Sequence, residues 1–311
     1  MSKTYIKHKI PSSYEAWKEN RLKGIGGSDA GAILGLNPWK SAYMLWCEKT
    51  GRIKNDEDNE AMRLGRDLED YVARRFTEVT GKKVRKSSFS YQSAVYPFML
   101  ANVDREIVGE DALLECKTTN MLTKTDYKHG DIPDTYYAQC LHYLAVTGKQ
   151  RVYLAVLVMN QGFYWFVLER DEEAIQALIE AEKLFWEEYV MKDAEPPVDG
   201  SDSTSEALAE LYPTGQGSIE LFDMEDTIEQ LLNRKNQIKM LEKECKALEQ
   251  TIKSDIGSYE LAYSGYHQIR WKNQMQNRVD TERLRTNYPD IYDECLKQIS
   301  FRKFEIKEVK A

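Results

Sequence analysis

The pattern of apolar and polar positions near the middle of the chain predicts two neighbouring strands. Residues 101–108 are typical of one strand and residues 113–116 of a short buried strand, and Gly109-Glu110 between them is typical of a hairpin loop with glycine at its first central position. Side chains directly opposite each other in such a pair lie on the same face of the sheet. Counting back through the two-residue loop therefore predicts that Asp104 lies opposite Glu115.

Helical periodicity and capping residues predict helices on both sides of this hairpin. Ser12 or Ser13 is the expected cap of the first helix, Ser28 of the second and Ser41 of the third. The predicted helices span residues 11–23, 28–34, 41–49, 61–80, 134–147 and 171–190. Further predicted strands lie at residues 87–92, 151–158 and 162–168. This order predicts an α/β fold with a small mixed central sheet flanked by helices.

The C-terminal third of the chain has a different pattern. Pro196-Pro197 and a Ser- and Asp-rich run predict a linker over residues 196–218. Apolar residues then recur at steps of three and four and predict a coiled-coil-like helix of about 35 residues, although Lys235 in its stripe argues against a long independent coiled coil. The remaining tail predicts a strand at 266–272, a helix at 280–297 and a strand at 301–309. We therefore expect one domain at 1–195 and an extension with a small α+β unit at 219–311.

Composition limits the class of protein. The chain has 311 residues, of which 30% are charged and 42% hydrophobic, as in a soluble protein with one domain of ordinary size and an extension. No apolar run approaches the roughly 20 residues of a membrane span, and the polar N-terminus is not that of a signal peptide. The five cysteines are scattered, which predicts reduced thiols in the cytoplasm and argues against zinc or iron–sulfur sites. The net charge of −8 argues weakly against a protein that coats DNA, but a local basic lining would still hold DNA.

The predicted pairing of the two strands brings two carboxylates together. Asp104 and Glu115 repel each other unless a cation lies between them, and carboxylate, carbonyl and water oxygens suit Mg²⁺ or Mn²⁺. The Cys116 carbonyl is a further candidate ligand. Lys117 lies on the face of Glu115, where it would orient or deprotonate a water or stabilise charge on a phosphate. An ordinary solvated face has the same spacing, and on spacing alone that alternative is favoured.

These residues also resemble a known motif. Asp104 followed by Glu115-Cys116-Lys117 resembles the D…ExK core of the PD-(D/E)xK nuclease superfamily. The sequence from about Arg21 to about Leu168, with a further match in the C-terminal tail, resembles the YqaJ-type phage recombination nucleases of the lambda-exonuclease family. The resemblance implies a restriction-endonuclease-like fold and a deoxyribonuclease that uses Mg²⁺, for which Mn²⁺ would substitute. It also implies that residues 1–195 are the nuclease domain.

Two further residues receive roles from the resemblance. Glu69 closes the segment Gly65-Arg66-Asp67-Leu68-Glu69, which resembles a family motif whose glutamate faces the metal, usually through water. Gln139 matches a glutamine that fixes the phosphate or the attacking water. The residues themselves leave plainer alternatives open, namely a salt bridge from Glu69 to Arg66 or Lys83 and a Gln139 that is only a satisfied polar group on a half-buried helix.

Arg21 and Ser28 flank a glycine-rich turn before a predicted helix. Unpaired N–H groups at a helix start attract anions, and an arginine strengthens that attraction, but alone such a turn is a weak signal and is usually only a turn. In the lambda-exonuclease family an arginine and a serine with this spacing hold the 5′-terminal phosphate of DNA. The resemblance therefore implies end recognition, which distinguishes an exonuclease from an endonuclease.

The resemblance implies a function as well as a site. It implies an exonuclease that degrades the 5′-ended strand of double-stranded DNA for phage-type recombination by single-strand annealing. It further implies binding to duplex ends, a ring-shaped trimer and a phage single-strand annealing protein as partner, in the cytoplasm of a bacterial host that carries a phage or prophage gene. Two alternatives remain open. A structure- or site-directed endonuclease would use the same metal centre, and a non-catalytic DNA-binding or assembly module would rely on the long helix.

Overall fold

The computed structural model describes residues 4–11, 13–54, 59–122 and 124–307. These form two compact units, Met1–Pro213 and Thr214–Ala311. The strands are β1 (Tyr5–Lys9), β2 (Ile25–Gly26), β3 (Val84–Lys86), β4 (Phe89–Ser93), β5 (Met99–Ala101), β6 (Arg105–Ile107), β7 (Ala112–Thr119), β8 (Arg151–Val158), β9 (Gly162–Glu169), β10 (Leu261–Ser264) and β11 (His267–Arg270). The helices are α1 (Tyr14–Leu22), α2 (Gly27–Ile33), α3 (Ala42–Lys49), α4 (Glu60–Thr80), α5 (Asp134–Thr147), α6 (Glu172–Leu184), α7 (Asp202–Leu211), α8 (Glu225–Ile256), α9 (Thr281–Asn287) and α10 (Pro289–Glu294).

The central element of the first unit is a five-stranded mixed sheet in the order β3-β6-β7-β8-β9. Strands β7 and β8 are parallel, and the other neighbours are antiparallel. Helix α4 packs on one face of the sheet through Val72 and Phe76, and helix α5 packs on the other. Strand β8 lies between these layers, so its side chains are buried on both faces and its sequence is an almost continuous apolar run. The predicted α/β layering is confirmed.

The hairpin of β6 and β7 has the predicted register. Arg105 pairs with Leu114 and Glu106 with Leu113, so the same register extended by one residue sets Asp104 opposite Glu115. Gly109 has a φ of 86°, the left-handed conformation that a glycine in such a loop adopts readily.

The prediction of one continuous strand over residues 101–108 is wrong. Its first residue ends β5, which belongs to a separate four-stranded sheet in the order β1-β4-β5-β2, and residues 102–104 lead across to β6. The chain changes sheets at this point, so ladder pairing stops just before Arg105.

Several helix boundaries follow their predicted caps. Ser13 caps α1 and Ser41 caps α3, while Ser12 lies outside the described residues. The prediction that Ser28 caps the second helix is wrong, because the N-cap is Gly26, whose N–H donates to Asp29 Oδ2 at 2.9 Å. Ser28 therefore lies in the first turn of α2, where its hydroxyl is free for another partner.

Two longer segments differ from their predictions. The helix predicted over 171–190 consists of α6 followed by a π-helical segment, Phe185–Met191. The predicted linker at 196–218 contains α7, which Ser201 caps and whose Ala207 is fully buried against the α3 region. The first compact unit therefore continues to Pro213, beyond the predicted boundary at residue 195.

The second unit has one long helix and a small tail. Helix α8 spans 32 residues, and apart from Ile256 they are exposed or half-buried. The predicted strand at 266–272 is confirmed as β11 of a hairpin with β10. The helix predicted over 280–297 is divided into α9 and α10 at Pro289, which has no N–H to continue a helical ladder. The strand predicted at 301–309 is absent over residues 301–307, and its last two residues lie outside the described part. No helix of the described residues is long and apolar enough to cross a membrane.

Candidate active site

Asp104 lies where the β6–β7 ladder opens. Its Oδ2 accepts a hydrogen bond of 2.8 Å from the Cys116 N–H, so the side chain replaces a main-chain acceptor of the neighbouring strand. The N–H and C=O of one strand residue point to the same side, and the Cys116 carbonyl therefore points to this edge as well. Burial, with the negative charges of Glu115 and Glu69, raises the pKa of Asp104 well above its usual value.

Glu115 is 3% exposed, and its two carboxylate oxygens have different surroundings. Its Oε1 accepts from Gln139 Nε2 at 2.6 Å and forms an ion pair with Lys117 Nζ at 2.8 Å. Its Oε2 is buried and has no hydrogen-bond partner among the described residues. A buried carboxylate oxygen without a partner costs free energy, and a bound cation would remove that cost.

Gln139 and Lys117 form a closed arrangement around Glu115. Lys117 Nζ donates to Gln139 Oε1 at 2.7 Å and lies 5.1 Å from the centre of the Tyr136 ring. The second amide hydrogen of Gln139 is donated to the Tyr143 hydroxyl at 2.9 Å. Burial alone would lower the pKa of Lys117, but the adjacent Glu115 carboxylate outweighs it and holds the pKa above its usual value. Gln139 is thus fixed at both ends of its amide, and its partner Tyr143 lies one helical turn away on α5, as the sequence spacing predicts.

Glu69 has a cation partner that the sequence did not indicate. Its Oε1 accepts from the guanidinium of Arg105 and lies 3.7 Å from Lys86 Nζ, so the alternative partners Arg66 and Lys83 are not the ones the structure records. Arg105 is buried and also donates to the Asp104 carbonyl at 2.6 Å. Glu69 therefore approaches Asp104 from the α4 side of the sheet, while Glu115 approaches it from the α5 side.

The donor set of this region fits a hard divalent cation. Within the described ranges, no three His, Cys, Asp or Glu side chains form a metal-binding cluster. Two carboxylates and the Cys116 carbonyl remain, with the unpartnered Glu115 Oε2 among them. An all-oxygen set of few protein ligands suits Mg²⁺, which keeps several of its waters.

Arg21 and Ser28 are brought together by the fold. Arg21 Nη2 donates to Ser28 Oγ at 2.7 Å, and the Arg21 side chain is 35% exposed. Two buried residues that the sequence interpretation passed over lie behind them. Asp29 is 3.5 Å from Arg21 Nη2, and Lys49 is 2.7 Å from the other oxygen of Asp29.

Gly27 links the segment that carries Arg21 and Ser28 to the region of Asp104 and Glu115. Gly27 packs on Gln139 and Tyr143, and a Cβ at Gly27 would lie 2.5 Å from Tyr143 Cε1 and 3.1 Å from Gln139 Cγ. The residue that precedes Ser28 therefore touches the same glutamine that hydrogen-bonds Glu115. Both groups of candidate residues are built on one side of α5.

Comparison with solved structures bears on the fold. The crystal structure of LHK-Exo, an alkaline exonuclease from Laribacter hongkongensis, is 21% identical and matches with a TM-score of 0.49, covering 63% of this chain and 99% of that one. The structure of LHK-Exo in complex with dAMP is 22% identical and matches with a TM-score of 0.50, covering 58% and 94%. At this level of identity the second match indicates a shared fold.

Comparison with sequences identifies the family. Residues 16–150 match the model of the YqaJ-like viral recombinase domain. The protein YqaJ of Bacillus subtilis (strain 168) is 41% identical over 303 residues, which cover 96% of this chain and 95% of the relative. The resemblance to YqaJ-type proteins that the sequence from about Arg21 to about Leu168 suggested is confirmed at the level of the family. The chain belongs to the YqaJ-like viral recombinase family.

Proposed function

We propose that this protein is a Mg²⁺-dependent exonuclease that degrades the 5′-ended strand of double-stranded DNA during phage-type recombination. The observation that carries the proposal is the buried pair Asp104 and Glu115, with an unpartnered Glu115 Oε2 beside Lys117. Membership of a viral recombinase family supports a role in recombination, and LHK-Exo, which is named an alkaline exonuclease, has the same fold. The exposed 3′-ended strand would be the substrate of a single-strand annealing protein, and a ring-shaped trimer would keep the enzyme on its DNA.

The carboxylates of Asp104 and Glu115 and the Cys116 carbonyl would hold the metal, with Glu69 in support through water. A bound Mg²⁺ would stabilise negative charge on the phosphate and lower the pKa of water. Lys117 brings a fixed positive charge to the place where charge builds up on the phosphate. Gln139 holds Glu115 and Lys117 in their mutual orientation. Both of its amide hydrogens are donated within the protein, so its Oε1, which has a second lone pair, would accept the hydrogen bond from the attacking water.

The Arg21 and Ser28 pair favours an exonuclease over an endonuclease. A guanidinium and a hydroxyl bind a terminal phosphate monoester, which only a strand end carries. Gly27 packs against Gln139, so the pair lies close to the acids and a bound end would set the position of the first phosphodiester. An internal site has no such end to anchor.

The test is digestion of a blunt duplex that carries different labels at its two 5′ ends and its two 3′ ends. We expect cleavage with Mg²⁺, none with EDTA, loss of label from the 5′ end first, and faster cleavage when that end is phosphorylated. A closed circular duplex is the control for internal cutting and should persist. Rapid cutting of the circle would favour the endonuclease alternative, and DNA binding without any Mg²⁺-dependent cleavage would favour a non-catalytic module.

A further inference from the structure

Behind the exposed Arg21 guanidinium lies a buried ion pair. The side chains of Lys49 and Asp29 are 3% and 5% exposed, and Lys49 Nζ lies 2.7 Å from Asp29 Oδ2. Lys49 also donates to two main-chain carbonyls between the end of α1 and the start of α2, those of Arg21 at 2.8 Å and Gly24 at 2.7 Å. All three hydrogens of this ammonium group are therefore directed at the segment that holds Arg21 and Ser28.

Asp29 has more than one cation near it, and the distances rank them. Its Oδ2 receives Lys49 at 2.7 Å and the Gly26 N–H at 2.9 Å, whereas its Oδ1 is 3.5 Å from Arg21 Nη2. Although burial opposes ionisation, Lys49 and Arg21 hold the pKa of Asp29 below its usual range, so Asp29 carries its negative charge. Lys49 is closer to Asp29 than Arg21 is and more deeply buried, so it neutralises most of that charge.

We propose that Lys49 is a positioning residue that neutralises Asp29 and thereby leaves the positive charge of Arg21 available for the 5′-terminal phosphate. Arg21, Lys49 and Asp29 together carry one net positive charge. Without Lys49, Arg21 would be the one cation left paired with Asp29 among the described residues and would close on it as its counter-ion. The Arg21–Asp29 pair would then meet a phosphate with no net charge. The nearby His142 and Glu182 are hydrogen-bonded to each other at 2.7 Å and add little net charge to this balance.

The inference rests on the proposed function of Arg21, and a set of charge variants tests the two separately. The readout is the ratio of kcat/KM for a 5′-phosphorylated duplex to kcat/KM for the same duplex with a 5′-hydroxyl. Arg21→Ala should lower this ratio by roughly 10- to 100-fold, the usual worth of a charged hydrogen bond. Lys49→Met, which keeps the stem but removes the charge, should lower it at least tenfold, chiefly through KM for the phosphorylated duplex.

The double variant Asp29→Asn/Lys49→Met separates charge from packing. In this variant Arg21 alone is charged, so positions 21, 29 and 49 again carry one net positive charge. The kcat/KM ratio should therefore return to within about threefold of the wild-type ratio, the remaining loss reflecting the missing hydrogen bonds of Lys49. Asp29→Asn alone leaves two positive charges and should lower KM for the phosphorylated duplex. If Lys49 had only a structural role, the kcat/KM ratio of the double variant would be no higher than that of Lys49→Met. Should Lys49→Met not fold, Asp29→Asn decides by itself, because an unchanged or raised KM overturns the inference.

Lys40→Met is the matched control. Lys40 also forms a 2.7 Å ion pair with a carboxylate of α3, but its partner is Glu48 and not Asp29, so its loss should leave the ratio unchanged. A Lys49→Met protein that is folded and keeps the full ratio overturns the role of Lys49 while the role of Arg21 stands. An Arg21→Ala protein that keeps the full ratio overturns both.

Discussion

Gly27→Ala should damage the candidate active site without touching any of its charged residues. The added Cβ would lie 2.5 Å from Tyr143 Cε1, 3.0 Å from Cζ of the same ring and 3.1 Å from Gln139 Cγ. Carbon atoms in contact are normally about 3.5 Å apart, so α2 and α5 must separate by about 1 Å. Overpacking of this kind costs about 1–3 kcal/mol, which lowers the melting temperature of a domain of this size by roughly 2–12 °C. The 2.6 Å hydrogen bond from Gln139 to Glu115 does not survive such a shift, and we expect kcat to fall by about 100-fold.

The assay pairs single-turnover cleavage of an end-labelled duplex with thermal unfolding followed by circular dichroism. Gly31→Ala is the matched control, since Gly31 lies one turn further along α2 and the nearest atom to its added Cβ would be Thr135 Cγ2 at 3.2 Å, not an atom at 2.5 Å. It should cost less stability and leave kcat within about threefold. A Gly27→Ala protein with wild-type kcat and melting temperature would refute the close packing of α2 on Gln139. Equal losses of kcat and melting temperature in Gly27→Ala and Gly31→Ala would show that the effect is not specific to the contact of Gly27 with Gln139 and Tyr143.

Other expected outcomes concern the charged groups. Glu115→Gln and Lys117→Ala should each lower kcat at least 100-fold while duplex binding, measured by fluorescence anisotropy, stays within about threefold; full activity in either contradicts the proposed chemistry. In the folded state the pKa of Asp104 is raised, so stability falls as pH rises from the unfolded value of 3.8 through the folded one. At neutral pH in EDTA, Asp104→Asn should therefore melt at a higher temperature than the wild type, and Mg²⁺ should stabilise only the wild type. His142 lies between two acceptors, the Glu182 carboxylate and the Leu100 carbonyl. Burial alone would lower the pKa of His142, but Glu182 outweighs it and raises that pKa, so the stability contributed by protonated His142 is present below pH 6.5 and is lost as pH rises through the folded pKa. His142→Leu should cost about 3–5 kcal/mol in urea denaturation, because it leaves Glu182 buried and unpaired; a loss below 1 kcal/mol would contradict the pair.

The elements predicted best from the sequence are those whose signals are local. Helix α5 has its predicted bounds, and β8 and β9 match within one residue. A proline start, a glycine end and runs of β-branched and aromatic residues are signals contained in the segments themselves. The pairing of Asp104 with Glu115 also followed from local information, since a short loop with one glycine fixes the register of a hairpin. The sequence alone therefore pairs the two acids.

What the sequence did not indicate depends on contacts between distant segments. The four-stranded sheet pairs β1 with β4 and β2 with β5, across more than 70 residues, and neither β1 nor β2 has a pattern that identifies a partner. Helix α7 lies in a Ser- and Asp-rich stretch that is typical of a linker, and it is ordered by the burial of Ala207. The partners of Glu69 were missed for the same reason, because Arg105 and Lys86 reach it from other strands.

Helix α5 explains why these distant contacts matter for function. Gln139 on this helix hydrogen-bonds Glu115 and Lys117, and the next turn carries Tyr143, which fixes the Gln139 amide from behind. The same two side chains form the surface on which Gly27 packs, so the Arg21 and Ser28 segment and the acids are held by one rigid element. The residues proposed for end binding and those proposed for cleavage would then both be positioned by α5. A change that shifts α5 should alter the distance from a bound end to the scissile phosphate as well as the rate of cleavage, and the length of the first product reports that distance directly.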